Sequence, residues 1–192
     1  MLLVFKSFYI VTTYLWLINL QSPKLFKLPF PKLSMKHSIR KGVGFGVTSG
    51  IITTLGLLIG LNSSTHSKIV ILSGIMVIAF ADALSDSMGM HISEEFGLGR
   101  KTKEIWQATI YTFFTKFLVT LTFIIPLLIL TLRQAIITDL IWGFFLIISF
   151  SYFIAKQKHE KKSKVILEHF LITVVVLIIS NYIGKLAAYL TQ

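Results

Sequence analysis

From residue 42 onward the chain alternates long apolar runs with short polar stretches. The runs repeatedly approach about 20 residues, the length at which an α-helix crosses roughly 30 Å of hydrocarbon. Five follow one another: Gly42 to Leu61, Ile69 to Ser93, Ile105 to Leu130, Leu140 to Ala155, and Val165 to Leu190. The pattern predicts an all-α, polytopic membrane protein with a five-helix transmembrane core over residues 42–192. The connections between runs are too short to fold as a separate soluble domain, so any chemistry has to reside within the membrane.

Residues 1–22 form a further hydrophobic segment, apolar enough to span but interrupted by Lys6 and followed by Gln21, Ser22 and Pro23. Three readings fit it: an extra span, an interfacial helix, or an extension upstream of a protein that begins near Met35. A cleaved signal peptide fits less well, because the charged leader is nearly absent and no small-x-small site precedes Gln21. Residues 23–41 carry Pro23, Pro29 and Pro31 among lysines, with Phe26 and Phe30, and read as a basic linker on an anionic inner surface.

Composition agrees with the pattern. Of 192 residues, 54% are hydrophobic and 14% charged, and the mean hydropathy of +0.78 lies outside the range of soluble domains and excludes intrinsic disorder. Cysteine is absent, which excludes disulfides, thiolate metal sites and cysteine nucleophiles. The net charge of +11 would suggest nucleic acid in a soluble protein. Here 14 of the 19 Lys and Arg residues fall in three stretches, Lys24 to Lys41, Arg100 to Lys103 and Lys156 to Lys164. These alternate with the poorly charged connections Asn62 to Lys68 and Thr131 to Asp139. The charge is therefore a topology signal: basic loops in the cytoplasm, the C-terminus outside, and no nucleic-acid partner.

Three features carry candidate chemistry. In the first run Gly42, Gly46, Ser49, Thr53, Gly56 and Gly60 fall within an arc of roughly 80° at 100° per residue. Such a seam lets a second helix approach closely, either as ordinary packing or as a dimer contact or pathway wall where Thr48, Ser49 and Thr53 help coordinate an ion.

The second run places Asp82 and Asp86 four residues apart, followed by Met88, Met90, His91, Ser93, Glu94 and Glu95. A carboxylate at mid-bilayer costs about 2.5–3.5 kcal/mol on insertion scales, so both should face protein or water. Helical spacing puts Asp82, Asp86, Gly89 and Ser93 on one stripe with Met90 beside it, an arrangement of oxygens and a thioether suited to a divalent cation or to protons.

Lys116 in the third run lies roughly 18 Å from the inner end of its helix, at nearly the height of Asp82. A buried Asp82–Lys116 pair would account for both charges structurally. Alternatively an ion competes with Lys116, since two carboxylates against one lysine leave a negative charge over. At the cytoplasmic end, His91, Glu94, Glu95, Glu104 and His169 form either an entry vestibule or a solvated helix end that balances Arg100, Lys101 and Lys103.

The run from Lys41-Gly-Val-Gly-Phe-Gly-Val-Thr-Ser-Gly50 through Leu61, followed by Ala83-Leu-Ser-Asp-Ser-Met-Gly-Met-His-Ile-Ser-Glu-Glu95, resembles the vacuolar iron transporter family. Pro126-Leu-Leu128 and Tyr182-Ile-Gly184 add to the resemblance, which covers about residues 40–190. It implies five spanning helices, a dimer whose first helices line the pathway, and exchange of iron or manganese for protons. The family's aspartate before the first-motif glycine aligns with Ser49, and the methionine and glutamate of its second motif align with Asp86 and Met90. The family's soluble metal-binding helices have no counterpart in the short connection from Glu94 to Glu104.

The resulting expectation is a homodimeric, multi-pass transporter, in the cell membrane if the host is a prokaryote, that moves Fe2+ or Mn2+ out of the cytoplasm in exchange for protons. Asp82 and Asp86 bind the ion, Met88, Met90, Glu94 and Ser49 add ligands, and Thr48, Thr53, Ser93, Lys116 and His91 serve pathway or coupling. Gly42, Gly46, Gly56 and Gly60 form the packing seam. No resident cofactor is expected, the metal being cargo, and no nucleophile–base set points to an enzyme. The alternative is a non-transporting structural or assembly protein that retains the scaffold.

Overall fold

The computed structural model describes residues 37–97, 99–158 and 160–191. The hydrophobic segment 1–22 and the linker up to residue 36 lie outside the described residues. Six α-helices follow in order: α1 (His37–Thr65), α2 (Lys68–Glu95), α3 (Thr102–Thr122), α4 (Ile124–Ile129), α5 (Leu132–Lys158) and α6 (Lys162–Leu190). With α3 and α4 counted together, five spans are long and apolar enough to cross a membrane. No strand occurs among the described residues. The protein is an all-α, multi-pass membrane protein.

Two features depart from the expected runs. The third run breaks at Phe123, where the backbone N–H turns back to Thr120 at 3.2 Å in a tighter, three-residue turn. Pro126 explains the break, because it brings no N–H and its ring would press on the carbonyl of Thr122. The fourth span begins at Leu132 rather than Leu140, so the stretch Thr131 to Asp139, expected to be a polar connection, is mostly helix. Its start is fixed by a Thr131-x-x-Gln134 cap: Gln134 Oε1 accepts from the Thr131 hydroxyl at 2.8 Å and from its backbone N–H at 3.4 Å. This extension carries Asp139 into the helix interior.

The central element is α1, which packs against α2, α3, α5 and α6. Its glycine face is divided between two partners. From Gly42 to Gly50 it receives α3: a Cβ on Gly42 would strike the Ala108 carbonyl oxygen, and one on Gly46 would lie 2.8 Å from that of Thr112. From Gly56 to Gly60 the same face receives α6: a Cβ on Gly184 would strike the Gly60 carbonyl oxygen, and one on Gly56 would lie 3.1 Å from Ser180 Oγ and from Val176 Cγ1. Small residues thus bring backbones together within one chain, in the manner of membrane helix pairs. The remaining sides of α1 bury Ile51, Leu55 and Leu58 with Ile71 and Ile75 of α2, Phe123, Leu127 of α4, and Ala135 and Ile147 of α5.

Candidate functional site

The tight α1–α3 seam is what allows Lys116 to do its work. A Cβ on Gly50 would lie 3.3 Å from the Lys116 carbonyl oxygen and in contact with Lys116 Cγ at 3.4 Å, which puts the Lys116 stem against this face of α1. The stem therefore lies along α1, and Lys116, only 1% exposed, delivers its ammonium to the middle of the bundle.

Three acceptors meet it. Lys116 Nζ lies 2.5 Å from Asp82 Oδ2 and 2.5 Å from Asp86 Oδ2, and donates to Ser49 Oγ at 2.9 Å. Ser49 in turn donates to Asp86 Oδ2 at 2.5 Å. The buried ammonium donates to Asp86 and Ser49 and is ion-paired with Asp82, as a buried lysine requires. The four side chains tie α1, α2 and α3 together at mid-helix. The two carboxylates come from successive turns of α2 on one stripe.

The cluster is lopsided in its access. Lys116 is sealed, while the side chains of Asp82 and Asp86 are 31% and 22% exposed. Beside them Ser85 and Gly89 are exposed, and the Cα of Gly89 has open space in front of it. Two carboxylates against one ammonium leave a negative charge on the open side.

Other expected site residues are placed differently. Met90 sits one turn from Asp86 on the same side, partly buried, whereas Met88 is 51% exposed and, two residues from Asp86, faces away from the cluster. Thr48 and Thr53 donate to the carbonyls of Gly44 and Ser49 of their own helix, at 2.9 and 2.8 Å. Ser93 is exposed at the end of α2. No group of three or more His, Asp or Glu side chains arranged to hold a metal occurs among the described residues.

Glu94 does not join the intramembrane acids. It is 4% exposed and held by Lys41 Nζ at 2.7 Å and Arg100 Nε at 3.4 Å, which clamps α1, the end of α2 and the connection to α3. Neither an open vestibule nor a solvated helix end describes it. His91 pairs with Thr109 at 2.9 Å and lies 3.6 Å from exposed Glu95. The Thr109 hydroxyl donates to the Ile105 carbonyl at 2.9 Å, so it accepts from the imidazole. Between α5 and α6, His169 Nδ1 lies 2.7 Å from Ser151 Oγ, and that hydroxyl bonds the Ile147 carbonyl at 2.6 Å. With its proton on the helix carbonyl, the serine is an acceptor and not an activated nucleophile.

Two residues of consequence were absent from the sequence expectation. Gly50 makes room for the Lys116 stem. Asp139, expected at the edge of a connection, is 0% exposed inside α5, with neither carboxylate oxygen hydrogen-bonded.

Comparison with protein-family models, curated proteins and solved structures gives no match for this chain. The fold and the cluster define a multi-pass α-helical membrane protein with an intramembrane Asp–Lys–Asp network.

Proposed function

We propose that the protein is a membrane transporter of the kind the vacuolar iron transporter resemblance implies, exchanging a divalent metal ion, Fe2+ or Mn2+, for protons. The observation that carries this reading is the position of Lys116 between two carboxylates at mid-helix, with one negative charge over and the acids accessible from one side. In this reading the ammonium fills the cation position in the ion-free protein. An entering metal takes over Asp82 and Asp86, with Ser49 as a neutral oxygen ligand and Met90 within one turn as a softer one. Two carboxylates from one helix make an incomplete shell, so water or a second copy supplies the rest.

In this reading the basic connections face the cytoplasm, the C-terminus lies outside, and the metal leaves the cytoplasm as protons enter. A homodimer covers the strip of Asp82, Ser85 and Gly89, because a part-exposed carboxylate at mid-bilayer requires protein or water in front of it. The glycine face of α1 is already filled by α3 and α6 and is not that contact.

The test is calorimetric titration of the purified full-length protein and Asp86→Asn with iron(II), manganese, cobalt, calcium and magnesium, paired with uptake into proteoliposomes carrying a pH dye. Saturable transition-metal binding that is lost in the variant, with metal flux driving counterflow of protons, is the expected result. Metal flux indifferent to the proton gradient overturns the exchange. The second reading, a purely architectural network in a non-transporting membrane protein, is favoured by the two ion pairs and the Ser49 hydrogen bond that already engage Lys116. It is upheld if no ion binds.

A further inference from the structure

Asp139 stands apart from the Asp82–Asp86–Lys116 network. It lies about two turns inside α5, on a stripe of buried residues spaced by four: Ala135, Asp139, Gly143, Ile147, Ser151 and Ala155. One turn away, Gly143 presses against Leu55 of α1, with a Cβ position only 2.6 Å from Leu55 Cδ1. Ala135, one turn the other way, belongs to the apolar cluster of Leu55, Leu58, Phe123 and Leu127. Neither Asp139 oxygen has a hydrogen-bond partner, and the residue takes part in none of the ion pairs.

Among the described residues no charged group pairs with it. In α1 no titratable residue lies between Lys41 and His66, and α4 has none. In α6 the groups toward this end are Tyr182, Lys185 and Tyr189, all exposed. The α5 residues Arg133, Tyr152 and Lys156 are likewise exposed. Lys116 of α3 is engaged with Asp82 and Asp86, and Lys68 of α2 donates to the Leu130 carbonyl.

An ionised carboxylate in such a place is costly by several kcal/mol, whereas the neutral acid leaves one polar hydrogen and two oxygens unmet, at about 1–3 kcal/mol. A leucine there would leave no polar group unmet. A residue that breaks the local rule without structural gain marks a functional position.

We propose that Asp139 is a second intramembrane proton site, an aspartic acid that carries a proton while α5 is closed on α1 and releases it when the two helices part. This rests on the exchange reading above, for which it names the proton carrier. On opening, the carboxyl O–H bond breaks with its electron pair left on the carboxylate and the proton passing to a water molecule. Protonation by water on closure reverses the step.

The test uses the full-length protein in lipid and has two arms. Infrared spectroscopy with isotope-labelled aspartate should find a protonated-carboxyl band at neutral pH that persists in Asp82→Asn and Asp86→Asn and is lost in Asp139→Asn. Loss of the band in either of the first two variants, or its absence from the wild type, overturns the proposal without need of the Asp139 variant. In proteoliposomes, Asp139→Asn should keep metal binding while proton counterflow falls at least tenfold. Counterflow at the wild-type rate overturns the carrier role. If the wild type moves no metal at all, the transport reading fails, and the infrared arm still decides whether Asp139 holds a proton.

Discussion

The bundle holds acids at two places and keeps them by opposite means. Asp82 and Asp86 are ion-paired with one buried lysine, which also donates to Ser49, and they stay partly open on their outer side. Asp139 is completely enclosed, and neither of its carboxylate oxygens is hydrogen-bonded. The first arrangement makes carboxylate charge tolerable by pairing it; the second makes only a proton tolerable. A cation can compete for the first site, since the ammonium already occupying it is held by charge. The second holds a single carboxylate with no hydrogen-bond partner. The contrast teaches that burial alone does not define an intramembrane acid; the partner does.

The largest expected effect breaks the pairing. Replacing Lys116 with methionine keeps the bulk of the stem but leaves two carboxylates at mid-bilayer with no counter-charge, a loss of about 3–5 kcal/mol for a buried ion pair broken on one side. Folded yield and thermal midpoint in detergent should fall sharply for Lys116→Met. Both should recover when Asp82→Asn and Asp86→Asn are added, because the triple variant removes the orphaned charge. Failure of that recovery would mean that Lys116 is held by something other than the acids, and the comparison between the two sites would lose its basis.

A smaller effect comes from the seam that positions the lysine. At Gly46 a methyl group would lie 2.8 Å from the Thr112 carbonyl oxygen and 3.1 Å from the Lys116 backbone nitrogen. Neither is the flexible end of a side chain, so α3 must move. Gly46→Ala should cost about 1–3 kcal/mol, the range for overpacking a well-filled contact. It should weaken metal binding at the acid pair while leaving the Asp139 infrared band in place. Gly44→Ala is the control: no atom lies within 4 Å of the added carbon, and exchange of glycine for alanine in a helix is neutral to favourable. Equal losses in the two variants would separate the lysine from the seam.

The sequence makes the five spans legible because length and hydropathy determine them with little help from tertiary contacts. The Asp82, Asp86 and Lys116 network is nearly as legible. Spacing by four put the two acids on one stripe, and helix rise put the lysine at their height. What spacing does not report is Gly50, since a glycine among several in one run carries no mark of which neighbour's stem crosses it. Asp139 was hidden for a different reason. Arg133, Gln134 and Asp139 together look like a polar connection, and only the Thr131-x-x-Gln134 cap betrays a helix that starts eight residues earlier than Leu140. The break at Phe123 had its signal in Pro126, which an apolar run long enough to span conceals. Nor does an apolar stripe say which partner fills it: α3 and α6 share one face of α1, a division set by how the helices cross rather than by the residues on that face.

The smallest effect tests the cap that carries Asp139 inward. Thr131 closes the start of α5 with the Gln134 side chain, and its carbonyl accepts from Ala135 at 2.8 Å. Thr131→Ala removes the hydroxyl and should cost about 1 kcal/mol, the usual worth of an N-terminal cap. The loss should appear as faster amide hydrogen exchange over the first turns of α5, up to Asp139, with no change at the distant Ser49–Asp86–Lys116 network. If exchange around Lys116 quickens equally, the two acid sites share one cooperative unit. A proton on Asp139 would then be felt directly by the Asp82–Asp86 pair, and the two acid sites would be coupled rather than separate.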